Sequence, residues 1–357
     1  MRRLPMVLLS GALLAAGGMV WFLRHRPPVQ APESEADRAE RRLLAFEASR
    51  HEGADFAKLV TWDRVSGPDP YAIKTIPRRS EIVGILRGES AIVVLDAALH
   101  EVARLEAPRQ TSGLAVSDEG AVYAAGEFSP TIARFDWQGD RLVPTATYEL
   151  EGVLAIRDVA TGPHGTVYAV EEHEGRLISF REPPGKGRAA RVRIDKSRQS
   201  EMVIGHGPVR MDRVGDRVIV NCLLDHALVI QRIDAAGAFV PAPPIRIVHD
   251  GPMWSFAARS DASGILLAVG GVEDHPLDRT IGAFGYVDSF LFLYSVDLAR
   301  DEAAAFARPV NLSAIGVVTP KALSFRRAPG IMVMVSGYGS GSFAELAFEA
   351  GRAPEIT

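Results

Sequence analysis

From about Asp55 onward, apolar residues come in short runs such as "EIVGIL", "SAIVVLD" and "AVYAAGE". Gly, Asp and Pro break these runs every 8–12 residues, and no helical period persists. Runs of that length, rich in Val, Ile and Tyr and bounded by turn residues, predict strands. They also recur. The segments 71–106, 112–150, 154–194, 207–247 and 252–310 each read as four strands on one plan, and 320–349 reads as a copy without its fourth strand. A repeat of about 40–50 residues built from four strands is the signature of propeller blades. The run "AKLVTWD" at 57–63 is the expected donor of the missing strand, because closing a ring calls for one blade assembled from both chain ends. The predicted fold is therefore all-β: a β-propeller of 24 strands in six four-stranded blades, or seven blades if the long connections hide further strands.

Composition narrows the function. The chain has 357 residues, 47% hydrophobic and 24% charged, with a net charge of −4 and the two signs mixed along its length. There is no basic face of the kind nucleic acid requires, so no nucleic acid partner is expected. A single cysteine, Cys222, excludes an intrachain disulfide, a covalent haem attached through CxxCH and any multi-cysteine metal site. Its position in "VIVNCLL" predicts a buried core residue.

The N-terminal third of a hundred residues speaks of location. Met6 to Leu23 carries no charge, and 18 residues make a helix of about 27 Å, close to the ~30 Å of a bilayer's hydrocarbon layer. Arg24, His25 and Arg26 follow in place of a small-residue cleavage site. Residues 1–26 are thus expected to be a signal anchor or, alternatively, a cleaved signal peptide. Residues 27–54 form a linker with a short amphipathic helix, and 55–357 form the propeller. Either way the body is exported, to the periplasmic side of a bacterial inner membrane if the segment stays attached.

The stretch "GPHGTVYAVEEHEGRLISF" at 162–180 resembles the strand-turn-strand core of the bacterial YVTN and lactonase-like propeller repeats. The resemblance implies a β-propeller, frequent export, and a superfamily that holds lactone hydrolases, metal-dependent esterases and propellers that only bind.

Two segments, "GHGPVRM" at 205–211 and "HDGPMWSF" at 249–256, repeat a histidine, a Gly-Pro turn and a strand. In a blade, the loop leading into strand A and the loop joining strands B and C emerge on the same face. The leading loops and strand starts supply Thr111, Arg157, Asp158, His206, His249, Asp250, Thr319 and Lys321. The B–C loops supply Glu127, Glu171, Glu172, His173, Asp225, His226, Glu273, Asp274, His275 and Tyr338. From these, His206, His249, Arg157, Asp158, Asp250, Lys321, His275 and Tyr338 are the ligand-binding candidates. His206, His249 and Asp250 are the candidate ligands of a divalent metal such as Zn, Cu or Ca. The alternative is that these groups merely cap turns and solvate the rim. The long connection 270–288 carries Phe284 and Tyr286 and is expected to overhang the same face. The expected function is an exported, membrane-tethered propeller that binds an envelope protein or a small ligand on this face. A metal-assisted lactone or ester hydrolase is the alternative, and an accessory role to a cytochrome or other redox complex stands third.

Overall fold

The computed structural model describes residues 69–183, 190–249, 251–261, 264–273, 288–326, 330–337, 342–348 and 355–356. Six sheets follow one another along the chain, antiparallel except for one parallel pair in the second. Blade 1 holds β1 (Pro70–Thr75), β2 (Ile82–Leu86), β3 (Ala91–Leu95) and β4 (Glu101–Glu106). Blade 2 holds β5 (Thr111–Val116), β6 (Val122–Gly126), β7 (Thr131–Gln138) and β8 (Arg141–Leu150). Blade 3 holds β9 (Asp158–Thr161), β10 (Thr166–Glu171) and β11 (Arg176–Arg181), then β12 (Ala190–Ile194) departs and β13 (Gln199–Val203) returns. Blade 4 holds β14 (Pro208–Val214), β15 (Arg217–Cys222), β16 (Ala227–Arg232) and β17 (Ile245–Val248). Blade 5 holds β18 (Met253–Asp261), β19 (Gly264–Glu273), β20 (Asp288–Asp297) and β21 (Glu302–Ala305), with β22 (Val310–Asn311) also paired to β20. Blade 6 holds β23 (Pro320–Phe325), β24 (Ile331–Gly337), β25 (Ser342–Phe348) and β26 (Glu355–Ile356).

The continuous apolar runs are explained by burial on both faces. In β10, Val167 and Ala169 pack toward blade 2, whereas Tyr168 and Val170 pack toward blade 4. Five such cores lie between consecutive blades from blade 1 to blade 6. Cys222 is buried in the core between blades 3 and 4, and burial pushes its thiol up to about 12, so it is an inert core residue.

Two strand assignments differ from the expectation. Residues 190–194 are not the fourth strand of blade 3. As β12 they pair in parallel with β8 and widen blade 2, and β13 completes blade 3. In "ARVRI", Val192 and Ile194 turn to the core between blades 2 and 3 while the arginines face out. That alternation suits an outer strand of either blade, so the pattern could not choose between them. In blade 6, β26 occupies the fourth position, next to β25, so the C-terminal residues themselves supply the strand expected from 57–63. Residues 57–63 and the charge-free run 6–23 lie outside the described residues. Among the described residues no helix is long and apolar enough to cross a membrane.

Candidate functional site

The inner strands share a local device that aims side chains at the channel. Pro70, Pro208 and Pro320 open three of them, at an edge where the missing N–H has no ladder partner to lose. One residue later the register slips in five of the six, leaving Tyr71, Ser112, Val209, Trp254 and Lys321 as the extra residue opposite strand B. Such a bulge bends the strand and redirects the side chain it carries. Arg157 holds the corresponding place in blade 3, directly before β9, with its N–H on the Val170 carbonyl at 2.9 Å.

Hydrogen bonds tie one inner strand to the next. Ser112 Oγ donates to the Arg157 carbonyl (2.7 Å), and Asp158 accepts the Met211 N–H (2.8 Å). Ser255 Oγ donates to the Pro320 carbonyl (2.6 Å), and from the second strand of blade 4 Asn221 Nδ2 donates to the Met253 carbonyl of β18 (2.8 Å). Across the ring, Lys74 of blade 1 reaches Asp212 of blade 4 at 3.8 Å.

On this frame six blades build one charged mouth. Arg87 pairs with Asp69 at 2.7 Å and with Glu127 at 3.1 Å, and Glu127 also holds Arg157 at 2.5 Å. Arg157 reaches Glu172 at 3.3 Å. The guanidinium groups of Arg87 and Arg210 lie over the Tyr71 ring at 4.7 and 4.8 Å, and Arg210 donates to the Tyr71 carbonyl at 3.4 Å. Lys321 Nζ stands 4.3 Å from the centre of the Trp254 ring. Burial, followed by the positive charges of Arg210, Arg87 and Arg157, lowers the Lys321 ammonium below the usual lysine range, while Asp69 opposes the shift. Among the described residues Arg210 forms no ion pair with a carboxylate.

Asp158 sits in the wall beneath. One oxygen accepts the Val159 N–H at 2.9 Å and the other the Met211 N–H. Burial pushes its carboxyl up to about 6, against the pull of Arg210 and those hydrogen bonds. A folded-state value raised above the unfolded one means the native protein holds a proton that the unfolded chain releases. This contribution to stability is therefore full below about pH 4 and lost as pH rises through about 6, on the order of 3 kcal/mol in all. The variant Asp158→Asn is expected to remove that slope. Urea melts of both proteins at several pH values between 4 and 7 should show the wild type losing stability relative to the variant as pH rises. Parallel profiles would refute the assignment.

The paired histidines have separate partners. His206 is exposed, and both its N–H (2.9 Å) and its Nδ1 (2.7 Å) meet Asp225, which Arg246 also holds at 3.2 Å. Burial pulls the Asp225 carboxyl up, but the His206 hydrogen bonds and the Arg246 charge hold it below the usual range. His249 Nε2 lies 3.2 Å from the Tyr294 hydroxyl, its ring packs on Phe292 and Tyr294, and its N–H donates to the His226 carbonyl at 2.9 Å. Those contacts turn the His206 ring to the β15–β16 turn of blade 4 and the His249 ring to β20 of blade 5. A groove of about 430 Å³ between the outer strands of blades 4 and 5, lined by Arg246, Tyr294 and Asp301, shares none of the mouth residues. Glu171 is buried and caps its own turn, accepting the N–H groups of His173 and Glu174. Asp250, His275 and Tyr338 lie outside the described residues. Among the described residues no three His, Cys, Asp or Glu side chains stand together as metal ligands would.

The structure thus brings Arg157, Asp158 and Lys321 together and adds Asp69, Tyr71, Arg87, Arg210 and Trp254, which sequence reasoning missed. Part of the signal was present: in "DPYAI", "PMWSF" and "TPKAL" Tyr71, Trp254 and Lys321 each stand second in their strand, whereas Arg87 and Arg210 share no such offset.

This architecture makes the chain a six-bladed β-propeller. No family model matches it, and no curated protein matches it in sequence. Solved structures match the fold. The Kuenenia stuttgartiensis hydrazine synthase is 12% identical with a TM-score of 0.54, covering 78% of this chain and 77% of that one. Virginiamycin B lyase from Staphylococcus aureus, an inactive form with quinupristin, is 15% identical with a TM-score of 0.53, covering 81% and 85%. A 6-phosphogluconolactonase-like protein from Bacteroides uniformis is 13% identical with a TM-score of 0.54, covering 79% and 82%. These neighbours differ in function, and at such identities the likeness is one of fold.

Proposed function

We propose that this propeller is a binding protein that takes a small anionic ligand, one bearing a carboxylate or phosphate, at the channel mouth. The observation that carries the reading is the gathering of Arg87, Arg157 and Arg210 at the mouth, with Arg87 and Arg210 both stacked on the Tyr71 ring. Arg87 and Arg157 share Glu127, whereas among the described residues Arg210 is held by the Tyr71 carbonyl and ring and by no carboxylate ion pair. An incoming oxyanion would gain charge-assisted hydrogen bonds from fixed guanidinium groups that need little reorganisation. The charge-free run 6–23 and the basic residues after it support a place for the binding body on the periplasmic side of the membrane, tethered through that run. The metal-assisted alternative rests on His206, His249 and Asp250, and the first two are engaged by separate partners.

Isothermal calorimetry with inorganic phosphate tests the reading. Phosphate is expected to bind the wild type, with an affinity that falls as salt rises. Arg210→Gln should weaken it roughly ten- to a hundredfold, since a hydrogen bond to a charged group is worth about 1.5–3 kcal/mol. Arg191→Gln, at an exposed arginine on β12, should leave it unchanged. Absence of binding to the wild type, or equal affinity in Arg210→Gln, would rule the site out.

A further inference from the structure

Each inner strand packs against the next: β1 on β5, β5 on β9, β9 on β14, β14 on β18 and β18 on β23. The five cores between blades follow the same order. Among the described residues no comparable packing leads from β23 back to β1, and no such core joins blade 6 to blade 1. The sheet faces on either side of that seam are apolar and wet. In blade 6, Val333, Val335, Leu346 and Phe348 turn to blade 5, which leaves Met334 and Phe343 on the opposite face. In blade 1, Val83, Ile85, Ile92 and Val94 turn to blade 2, which leaves Ile73, opposite Gly84, and Val102 on the other face. These four side chains are 45% to 78% exposed. Among the described residues the remaining strongly exposed large apolar side chains stand in loops or at the last residue of a strand. Apolar surface gathered on two facing sheets marks a contact.

We infer that the chain's own segment 56–65, which lies outside the described residues, is the occupant of this seam and joins blade 6 to blade 1. Its place in the chain argues for it. The segment ends four residues before Asp69, and Pro70 opens β1, the inner strand on the blade 1 side of the seam. Val60 stands ten residues before Pro70, and ten extended residues reach up to about 35 Å, more than the width of four strands at roughly 4.8 Å each. The residue pattern argues for it as well. In an extended chain Phe56, Val60 and Trp62 fall on one side, with Lys58 among them, and Ala57 and Leu59 on the other. A segment apolar on both sides needs cover on both, which two facing apolar sheets supply. It is not a further ladder strand of blade 6, whose four positions are filled by β23 to β26. Tyr71 and Arg87 belong to blade 1 and Lys321 to blade 6, so the same contact fixes two parts of the mouth relative to each other.

Cross-linking of introduced cysteines in the full chain, purified in detergent, tests the inference. Cys222 is buried and inert, so the introduced thiols are the ones that react. In the double variant Val60→Cys, Phe343→Cys a short bis-maleimide should join the two positions within one molecule, as read by mass spectrometry of the linked peptides. The pair Val60→Cys, Leu224→Cys, with Leu224 exposed on the B–C turn of blade 4, should give at least tenfold less product. In a second variant, residues 56–65 are replaced by an equal length of Gly and Ser. There a lone Phe343→Cys should react with a maleimide at least tenfold faster than it does beside the native segment, while Cys222 stays unreactive and so reports that the propeller is still folded. Equal yields from the two pairs overturn the inference, and so does equal reactivity of Phe343→Cys beside either segment. A link from 60 to 343 that forms only between molecules also overturns it and gives the seam to a second copy. None of these readouts involves a ligand, so their outcome is separate from that of the phosphate titration.

Discussion

Glu182→Ala is expected to lower the stability of the propeller by about 4 kcal/mol, because two buried hydroxyls lose their acceptor together. Glu182 lies just after β11 of blade 3, yet its partners belong to three strands of blade 2. It accepts the Tyr123 hydroxyl at 2.9 Å, the Tyr148 hydroxyl at 2.7 Å and the Arg134 guanidinium at 2.5 Å. Both tyrosines are buried in the core shared by the two blades. Burial, reinforced by the Glu182 charge, pushes both phenols above the ordinary tyrosine range, so they remain donors at every pH the fold survives. Arg134 keeps Asp136 and is spared. Each orphaned buried hydroxyl costs about 1–3 kcal/mol, and the lost side chain adds a void. Glu182→Gln retains one acceptor oxygen and should recover more than half of the loss. Urea denaturation is the measurement, and a change below about 1 kcal/mol in Glu182→Ala would show that the hub carries no weight.

Arg217→Ala should be destabilising on a similar scale, about 3–5 kcal/mol. Arg217 opens β15 and is 2% exposed, the largest fully buried side chain of the protein's described residues. It pairs with Asp216 at 2.5 Å and with Asp301, in the turn before β21, at 2.8 Å, and so joins blade 4 to blade 5. Removing it leaves two carboxylates facing one another and a hole where the guanidinium stood. Arg217→Met keeps the packing of the stem but not the charge, and is expected to fall between wild type and alanine. A urea midpoint shift with an unchanged slope would confirm a loss of stability without a change in the surface exposed. If alanine and methionine cost the same small amount, the pair of bridges contributes nothing.

These two hubs were invisible in the sequence for a reason that applies to Arg87 and Arg210 of the mouth as well. Glu182 follows a strand in "SFREPP" and Arg217 begins one in "GDRVIV", and neither context differs from that of many exposed charges in the chain. The partners of Glu182 lie 34 to 59 residues away and Asp301, the partner of Arg217 in the next blade, lies 84 away, so only the meeting of neighbouring blades identifies them. His206 and His249 show the converse. Their repeated local setting was legible, and placing them beside leading loops was correct, but the direction of each ring depended on Asp225 in one blade and on Phe292 and Tyr294 in the other.

Blade number, blade period and the face that gathers the leading and B–C loops were determined by the sequence alone, because alternation, turn residues and a four-strand repeat are local properties that survive in each copy. The neighbour of β12 and the source of the fourth strand in blade 6 were decided only by the tertiary structure. "ARVRI" presents one apolar and one charged side to any outer edge, and "EI" at 355–356 is too short to carry a pattern. The same holds for the channel mouth. Tyr71, Arg157, Arg210, Trp254 and Lys321 are spread over 250 residues of sequence, and they meet because successive bulged inner strands converge on one axis, a geometry that exists only once the ring of blades has formed.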